Sequence, residues 1–288
     1  MRSCPNTHNI LKKGESGMMR PELTITLAES APDSAPFLLR GPLAANMGVA
    51  ADMGYDAVEL HAADPALLPR EAIFQASETH GIGVASLGTG MMAGGEGLTL
   101  VHDDPERQAA AAARMQRFIE LGAELGAVVI VGLVRGLIRD VGSRTAYFDR
   151  LTPALESLID HAEANDATLV LEAVNRYEGD VFNTVDETLD YIESFASDRL
   201  KLHADSFHMN IEETNPAESL RRAGARLGHL HVADSNRLAP GDGHMDFAAI
   251  TAALRDIGYK GAISVECLPH PGPKDAARRA ISTLRPLL

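Results

Sequence analysis

Eight short apolar segments recur along the sequence, and longer amphipathic segments separate them. Apolar strands that alternate with helices are typical of parallel βαβ units, because each crossover helix covers one face of the sheet. No linker and no shift in composition interrupts the alternation, so we predict one domain over residues 21–288. The predicted strands are Leu23–Leu27, Ala57–His61, Gly83–Leu87, Val128–Leu133, Thr168–Ala173, Leu200–Ala204, His229–Ala233 and Ala262–Glu266.

Capping and stop signals indicate where the helices between these strands begin and end. Asp104 and the proline after it precede a long segment rich in Ala and Arg, which ends at Gly126. Thr184 and Glu187 have the spacing of a capping box. The clearest helices are predicted at residues 103–125, 145–164, 184–195 and 246–257, and another begins at residue 216.

Polar side chains stand at the carboxyl ends of the last four predicted strands. Glu172, Asp205, His231 and Glu266 follow one another at intervals of 33, 26 and 35 residues, each about one βα unit. An open doubly wound sheet would also satisfy the alternation, but it would spread these strand ends along an edge. A closed barrel brings them to one mouth, and barrels of about 250 residues are ordinary. The sequence therefore favours an α/β fold with a single (β/α)8 TIM barrel.

Composition excludes several classes of partner. The formal net charge of −14 disfavours nucleic acid and anionic membrane surfaces, and no apolar run approaches the roughly 18 residues of a membrane span. Two cysteines are too few for a disulfide framework, which fits a cytoplasmic location. Residues 1–20 are polar and lack the apolar core of a signal peptide. We expect a flexible N-terminal extension there, with Met18 or Met19 as the natural start.

The four strand-end residues suit a divalent cation. Glu172 and Glu266 end apolar strands, where an unpaired carboxylate costs several kcal/mol. Three carboxylates and one histidine suit one Mn²⁺, Co²⁺ or Mg²⁺ ion better than zinc, and among these three we expect Mn²⁺. The alternative interpretation is a set of separately satisfied buried polar groups, in which Asp205 is a helix N-cap beside a satisfied His208.

Five stretches carry a family resemblance: LEAVNRYE, ADSFHMNIEE, GHLHVADSNR, PGDGHMDF and SVECLP. Together they resemble the D-tagatose 3-epimerase group of ketose 3-epimerases, within the xylose-isomerase-like barrel superfamily. The stretches LGTGMMAGGEGLTLVHDD and VIVGLVRG look most similar to the 5-keto-L-gluconate epimerase branch of that group. The resemblance implies a small keto-sugar or keto-sugar acid as substrate and a homodimer or homotetramer. It also implies metal ligands at Glu172, Asp205, His231 and Glu266, and substrate-binding residues at Glu178, His208 and Arg237.

Epimerisation next to a ketone removes a proton from one face of a carbon and delivers a proton to the other. A divalent ion stabilises the ene-diolate charge in such chemistry, worth several kcal/mol. Glu172 and Glu266 can flank the substrate and serve as the two proton carriers, and the resemblance implies the same assignment.

Four further features need an interpretation. Arg135 either makes a bidentate contact with the carboxylate of a sugar acid or donates to a loop carbonyl. His61 either lines the pocket or is a core histidine, and His203 is expected in the core one layer below Asp205. Residues 88–93 match the dinucleotide fingerprint GxGxxA, but we expect a mobile active-site loop there and no helix.

Three other functions are open at this point. A metal hydrolase or endonuclease on the same barrel would need more histidine ligands and a basic face. Another sugar isomerase, or an inosose dehydratase or isomerase, would use a related site. A non-catalytic sugar-binding protein would not need two proton-transferring carboxylates.

Overall fold

The computed structural model describes residues 20–288. Nearly all of the extension predicted at residues 1–20 lies outside the described residues, so its flexibility stays a prediction. Among the residues described, no helix is both long and apolar enough to cross a membrane.

Nine parallel strands form a single sheet over residues 20–288, and pairing between the first and last of them closes it. The second strand has only two residues and pairs with the end of the first, so the other eight make the barrel. The predicted (β/α)8 fold is confirmed. The strands are β1 (Glu22–Ala28), β2 (Leu39–Arg40), β3 (Ala57–His61), β4 (Gly83–Gly88), β5 (Val128–Val131), β6 (Leu169–Glu172), β7 (Leu200–Asp205), β8 (Leu227–Val232) and β9 (Ala262–Val265).

Helices surround this barrel, and short 3-10 turns lie in several of the loops. The α-helices are α1 (Leu43–Met53), α2 (Arg70–His80), α3 (Gly90–Glu96), α4 (Pro105–Leu125), α5 (Ile138–Val141), α6 (Arg144–Ala164), α7 (Val185–Glu193), α8 (Ser206–Glu212), α9 (Pro216–Ala223), α10 (Phe247–Asp256) and α11 (Pro273–Leu284). The 3-10 turns are Pro65–Leu67, Leu133–Arg135, Gly224–Arg226 and Arg285–Leu287.

The predicted N-caps at Asp104 and Thr184 are confirmed, but the reciprocal contact of the capping box differs, because Glu187 accepts from the backbone N–H of Asn183 at 2.9 Å. The side chain of Asp104 accepts from the backbone N–H of Glu106 at 2.9 Å, and Gly126 ends α4 with a left-handed φ of 69°. The hydroxyl of Thr184 accepts from the backbone N–H of Glu187 at 3.1 Å. These caps satisfy N–H groups that the first turn of a helix otherwise leaves unpaired.

The expectation that no helix follows β4 is wrong. Residues 90–96 form α3, although three of its seven residues are glycines with low helix propensity. The side chain of Met92 is fully buried, so packing of one face offsets the poor propensity. The dinucleotide fingerprint at residues 88–93 therefore overlaps one short helix, whose residues Gly90, Met91, Gly94 and Gly95 line a cavity.

The inside of the barrel is polar below its carboxyl-terminal mouth. Along β1 the fully buried threonines Thr24 and Thr26 alternate with leucine and isoleucine side chains that face the helices, as the pleat of a strand requires. Barrel interiors are more often filled by branched apolar side chains. The fully buried polar residues on the strands are Thr24, Thr26, Glu59, Ser86, His203, His229 and Ser264.

Candidate metal centre and cavity

The strand register brings the predicted ligands to one mouth of the barrel. Asp205 pairs directly with His231 across β7 and β8. Glu172 pairs with His203, two residues before Asp205, and Ser264 pairs with His231, two residues before Glu266. A step of two residues keeps a side chain on the same face of the sheet, so all four predicted ligands belong to the inward-facing set.

Candidate ligand atoms converge on His231. Ligand atoms of Glu172, Asp205 and His231 all lie within 4.8 Å of one another, and those of Glu59, His231 and Glu266 do the same. The Nδ1 atom of His231 is 3.5 Å from Oε2 of Glu266. Buried carboxylates held this close repel one another unless a cation or protons compensate their charge.

The two carboxylate oxygens of Asp205 have different surroundings, since one caps helix α8 and the other is unpaired within the described chain. Its Oδ1 accepts from the backbone N–H of Phe207 at 2.7 Å and caps α8. Its Oδ2 is buried and has no hydrogen-bond partner among the described residues. The N-cap alternative is thus correct for one oxygen, while the other is free to act as a ligand.

Buried charges shift the pKa values at this mouth in opposite directions. Burial raises the pKa of Glu172 to about 8, and the carboxylates of Glu266 and Asp205 add to this against the opposing effect of His231. Burial would also raise the pKa of Glu266, but His231 and Arg237 outweigh it and lower that pKa to about 2. His231 itself is desolvated, yet Glu59 and Glu266 hold its pKa well above the ordinary value.

His208 presents an N–H group to the centre. The side-chain amide of Asn175 donates to Nδ1 of His208 at 2.6 Å, which leaves Nε2 as the protonated nitrogen of the neutral ring. Nε2 lies 3.8 Å from both Oε1 of Glu172 and Oδ2 of Asp205. Burial lowers the pKa of His208, which favours this neutral form. Asn175 was not predicted, although it lies in the same LEAVNRYE stretch.

Arg237 and Glu178 form an ion pair beside the carboxylates. Nη1 of Arg237 is 2.8 Å from Oε1 of Glu178, and Nη2 is 3.8 Å from Oε2 of Glu266. The guanidinium lies 4.7 Å from the ring centroid of Phe207, within cation–π range. Arg237 also has a left-handed φ of 61°, a conformation that non-glycine residues adopt mainly at constrained sites.

A cavity of about 440 Å³ opens above these side chains. Its polar lining residues include Glu172, Glu178, His208, His231, Arg237 and Glu266. The rest of its lining is poor in charge and includes Pro36, Phe37, Gly88, Met91 and Leu133. A volume in the range of a few hundred Å³ suits a small organic ligand.

Two glycines let the cavity wall approach the functional side chains. A Cβ atom at Gly132 would lie 2.5 Å from Oε2 of Glu172, and one at Gly88 would overlap the ring of His61. By contrast, a Cβ atom at Gly94 or Gly95 would meet no heavy atom within 4 Å.

The structure does not bring Arg135 to the cavity. Its guanidinium is buried, donates to the backbone carbonyls of Gly132 at 3.0 Å and Val181 at 3.2 Å, and lies 5.7 Å from the ring centroid of Phe182. The geometry matches the interpretation of an arginine that caps loop carbonyls, rather than the predicted contact with a substrate carboxylate.

His61 and His203 differ in position. His61 lines the cavity and stacks on Phe37 with ring centroids 3.9 Å apart, while remaining 5% exposed. His203 is fully buried below the ligands, as expected, against the rings of His229 and His231.

Sequence reasoning missed Glu59, which is fully buried in β3. Burial would raise its pKa, but His231, His229 and His61 outweigh this and hold the pKa well below the ordinary value. The sequence did contain an indication of it, a carboxylate within an apolar strand, because Glu59 lies in AVELH just as Glu172 lies in LVLE.

Two relatives in sequence are sugar epimerases. The chain is 49% identical to a D-psicose 3-epimerase of Enterocloster bolteae over 112 residues, which are 39% of this chain and 37% of the relative. It is 33% identical to an L-ribulose 3-epimerase of Mesorhizobium japonicum over 222 residues, which are 75% of this chain and 72% of the relative. The first alignment thus spans little more than a third of either protein.

The similarity in structure extends over nearly the whole fold. The chain matches a crystal structure of D-allulose 3-epimerase from Methylomonas sp. with a TM-score of 0.78 and 25% identity, covering 94% of this chain and 99% of that one. The family model described as xylose isomerase-like TIM barrel matches residues 47–287. This chain therefore belongs to the xylose isomerase-like TIM-barrel family.

Proposed function

We propose that the protein is an isomerase, a divalent-metal-dependent epimerase that inverts the carbon next to the ketone of a ketose or keto-sugar acid. The observation that carries this proposal is the convergence of Glu172 and Glu266 with Asp205 and His231 at the floor of one cavity. The 3-epimerase relatives support the same reaction class.

The residues at this floor fit a divalent cation. Oδ2 of Asp205 and Nδ1 of His231 are buried and have no hydrogen-bond partner in the described part of the chain. Glu172, Asp205, His231 and Glu266 would hold the ion, and their mostly oxygen donors suit Mn²⁺, with Co²⁺ or Mg²⁺ as alternatives. Such an ion, when bound, polarises the substrate ketone and stabilises the charge that develops on deprotonation.

The two glutamates would carry the protons. Glu172 ends β6 and Glu266 follows β9, and two further strands separate them around the barrel. A substrate carbon held between them therefore meets one carboxylate on each face. One carboxylate removes the proton and the other delivers a proton to the opposite face, and the roles exchange in the reverse reaction.

Other side chains would hold and orient the sugar. His208 directs its Nε2–H toward the centre and can donate to a substrate oxygen without changing its charge. The ion pair of Glu178 and Arg237 offers both an acceptor and donors to hydroxyl groups. Because each of these groups has a fixed partner, the site is ordered before the substrate binds, which lowers the entropic cost of reaching a reactive geometry.

The charges favour a neutral ketose as the first substrate to test. Arg237 is the one arginine or lysine among the described residues that line the cavity, and Glu178 already pairs with it. A keto-sugar acid would add a carboxylate to a cavity that holds three glutamates. The second substrate to test is 5-keto-L-gluconate, because the segments at residues 87–104 and 129–136 resemble that branch.

Exchange of hydrogen with the solvent tests the proposal. The Mn²⁺-loaded protein is incubated in D₂O with D-tagatose, D-fructose, L-ribulose and 5-keto-L-gluconate, and NMR follows deuterium at each carbon. We expect deuterium beside the ketone together with the inverted sugar. A hydrolase, an endonuclease or a non-catalytic binder would leave every carbon unlabelled, and that result with all four sugars would overturn the proposal.

Cytoplasmic location and assembly as a homodimer or homotetramer are part of the same proposal. The low cysteine count supports the location and the family resemblance supports the assembly, which light scattering on the purified protein tests.

A further inference from the structure

One buried carboxylate lies directly below the proposed metal centre and accepts from four side chains. Glu59 has no exposed surface. Its Oε1 lies 2.6 Å from Nε2 of His61 and 2.9 Å from Nε2 of His231. Its Oε2 lies 2.5 Å from the hydroxyl of Ser86 and 2.7 Å from Nε2 of His229.

These contacts determine which nitrogen of each ring carries hydrogen. An ionised carboxylate only accepts hydrogen bonds and has about four lone-pair sites, and four donors fill them. Each of the three imidazoles must therefore donate to Glu59 through Nε2–H. In agreement, Nδ1 of all three rings is buried without a hydrogen-bond partner among residues 20–288.

For His231 this arrangement has a direct consequence at the metal centre. With Nε2 held by Glu59, the ring turns Nδ1 toward Oε2 of Glu266 at 3.5 Å and toward the other proposed ligands. A histidine that binds a metal through one nitrogen gains basicity and a fixed orientation when the other nitrogen donates to a carboxylate.

We propose that Glu59 is a positioning residue of the metal centre, which fixes the orientation and the protonation pattern of His231 so that Nδ1 is the ligand atom. This inference rests on the proposed metal site but not on the proposed sugar chemistry. In this role Glu59 lies below the proposed ligands and acts on the metal centre through its hydrogen bond with His231.

Metal affinity of the Glu59→Gln protein is the first test. Glutamine keeps the shape of the side chain but has no charge and only one acceptor oxygen. We expect Mn²⁺, titrated into the metal-free protein and followed by electron paramagnetic resonance, to bind about 10–100-fold more weakly than to wild type. The matched control is Ser86→Ala, which removes a different donor from the same carboxylate and leaves His231 paired, so its affinity stays near the wild-type value.

Nitrogen NMR of the wild-type protein loaded with diamagnetic Mg²⁺ tests the same inference without a substitution, in case Glu59→Gln does not fold. We expect the His231 ring to carry hydrogen on Nε2, in a strong hydrogen bond, and none on Nδ1. Hydrogen on Nδ1 would overturn the inference. So would a folded Glu59→Gln protein that loses thermal stability but binds Mn²⁺ as wild type does.

The inference and the proposed function fail in different ways. Wild-type protein that binds no divalent cation overturns both. Protein that binds Mn²⁺, loses that affinity with Glu59→Gln, but exchanges no sugar hydrogen overturns only the proposed function.

Discussion

Arg237 in the loop after β8 and Glu178 in the loop after β6 form an ion pair 2.8 Å long at the edge of the cavity. The pair is partly buried, and the same guanidinium faces Phe207. Two loops are thereby joined next to the proposed proton carriers.

Replacing Arg237 by lysine should impair catalysis without removing the metal. Lysine keeps the positive charge, but it lacks the planar guanidinium group whose two nitrogen atoms face Glu178 and Glu266. We expect kcat/KM for the best substrate to fall by about tenfold to a hundredfold, or roughly 1.4–2.7 kcal/mol in transition-state stabilisation. Steady-state kinetics and Mn²⁺ titration check this, and unchanged kinetics would contradict the substrate-binding role.

Removal of the metal should abolish exchange and lower stability. Chelator-treated protein should incorporate no deuterium, and added Mn²⁺ should restore the exchange. At a Mn²⁺ concentration about 100 times its Kd, binding should raise the free energy of unfolding by about 2.7 kcal/mol. Thermal melts with and without Mn²⁺ measure this. The stabilisation should shrink in Glu172→Gln and persist in Glu156→Gln, a change at an exposed glutamate of α6.

Metal affinity should depend on pH with a defined sign. In the metal-free protein the pKa of Glu172 is raised to about 8, so this carboxyl group is protonated at neutral pH, and His231 also holds a proton because its pKa is raised. A ligand must lose its proton to bind the ion. Affinity for Mn²⁺ should therefore fall as the pH decreases below about 8, with proton release on binding. Titrations in buffers on both sides of that pH check the direction, and affinity independent of pH would contradict it.

Two substitutions of Asp205 should separate its two roles. Asparagine can still accept from the N–H of Phe207, whereas alanine cannot. Both variants should bind Mn²⁺ poorly, because both lack the second carboxylate oxygen. Only Asp205→Ala should also lose about 1 kcal/mol of stability from the missing cap of α8. Chemical unfolding of the metal-free proteins compares the two, and equal stabilities would show that the cap contributes little.

Arg135→Ala should lower stability without changing substrate preference. The substitution leaves the carbonyls of Gly132 and Val181 without their donor, at a cost of about 1–3 kcal/mol for each buried group left unpaired. Rates with a neutral ketose and with a keto-sugar acid should change by the same factor. The exposed Arg139 lies in the same segment, and Arg139→Ala is the control that should unfold like wild type. A selective loss with the acid would restore Arg135 as a substrate-binding residue.

The strands and the convergence of four polar strand-end side chains at one mouth were predictable because they depend on local, repeated signals. Apolar runs identify the strands. A carboxylate at the end of such a run, as at Glu172, indicates that a cation or another partner compensates its charge. Glu59 carried the same signal but lies in the middle of β3, where nothing in the sequence shows that histidines 170 and 172 residues away meet it. The direction of Arg135 depends on the path of its loop, and α3 depends on packing of Met92, so neither was available from the sequence.

The glycines at positions 88 and 132 restrict how this cavity can be altered. Any side chain added there would collide with His61 or Glu172, so substitution at those two positions cannot narrow the cavity without displacing one of these side chains. Gly94 and Gly95 also line the cavity but have open space around them, so larger residues introduced there would reduce the volume of the cavity. The volume of the proposed substrate site can thus be changed from α3, where an added Cβ atom meets neither Glu172 nor His61.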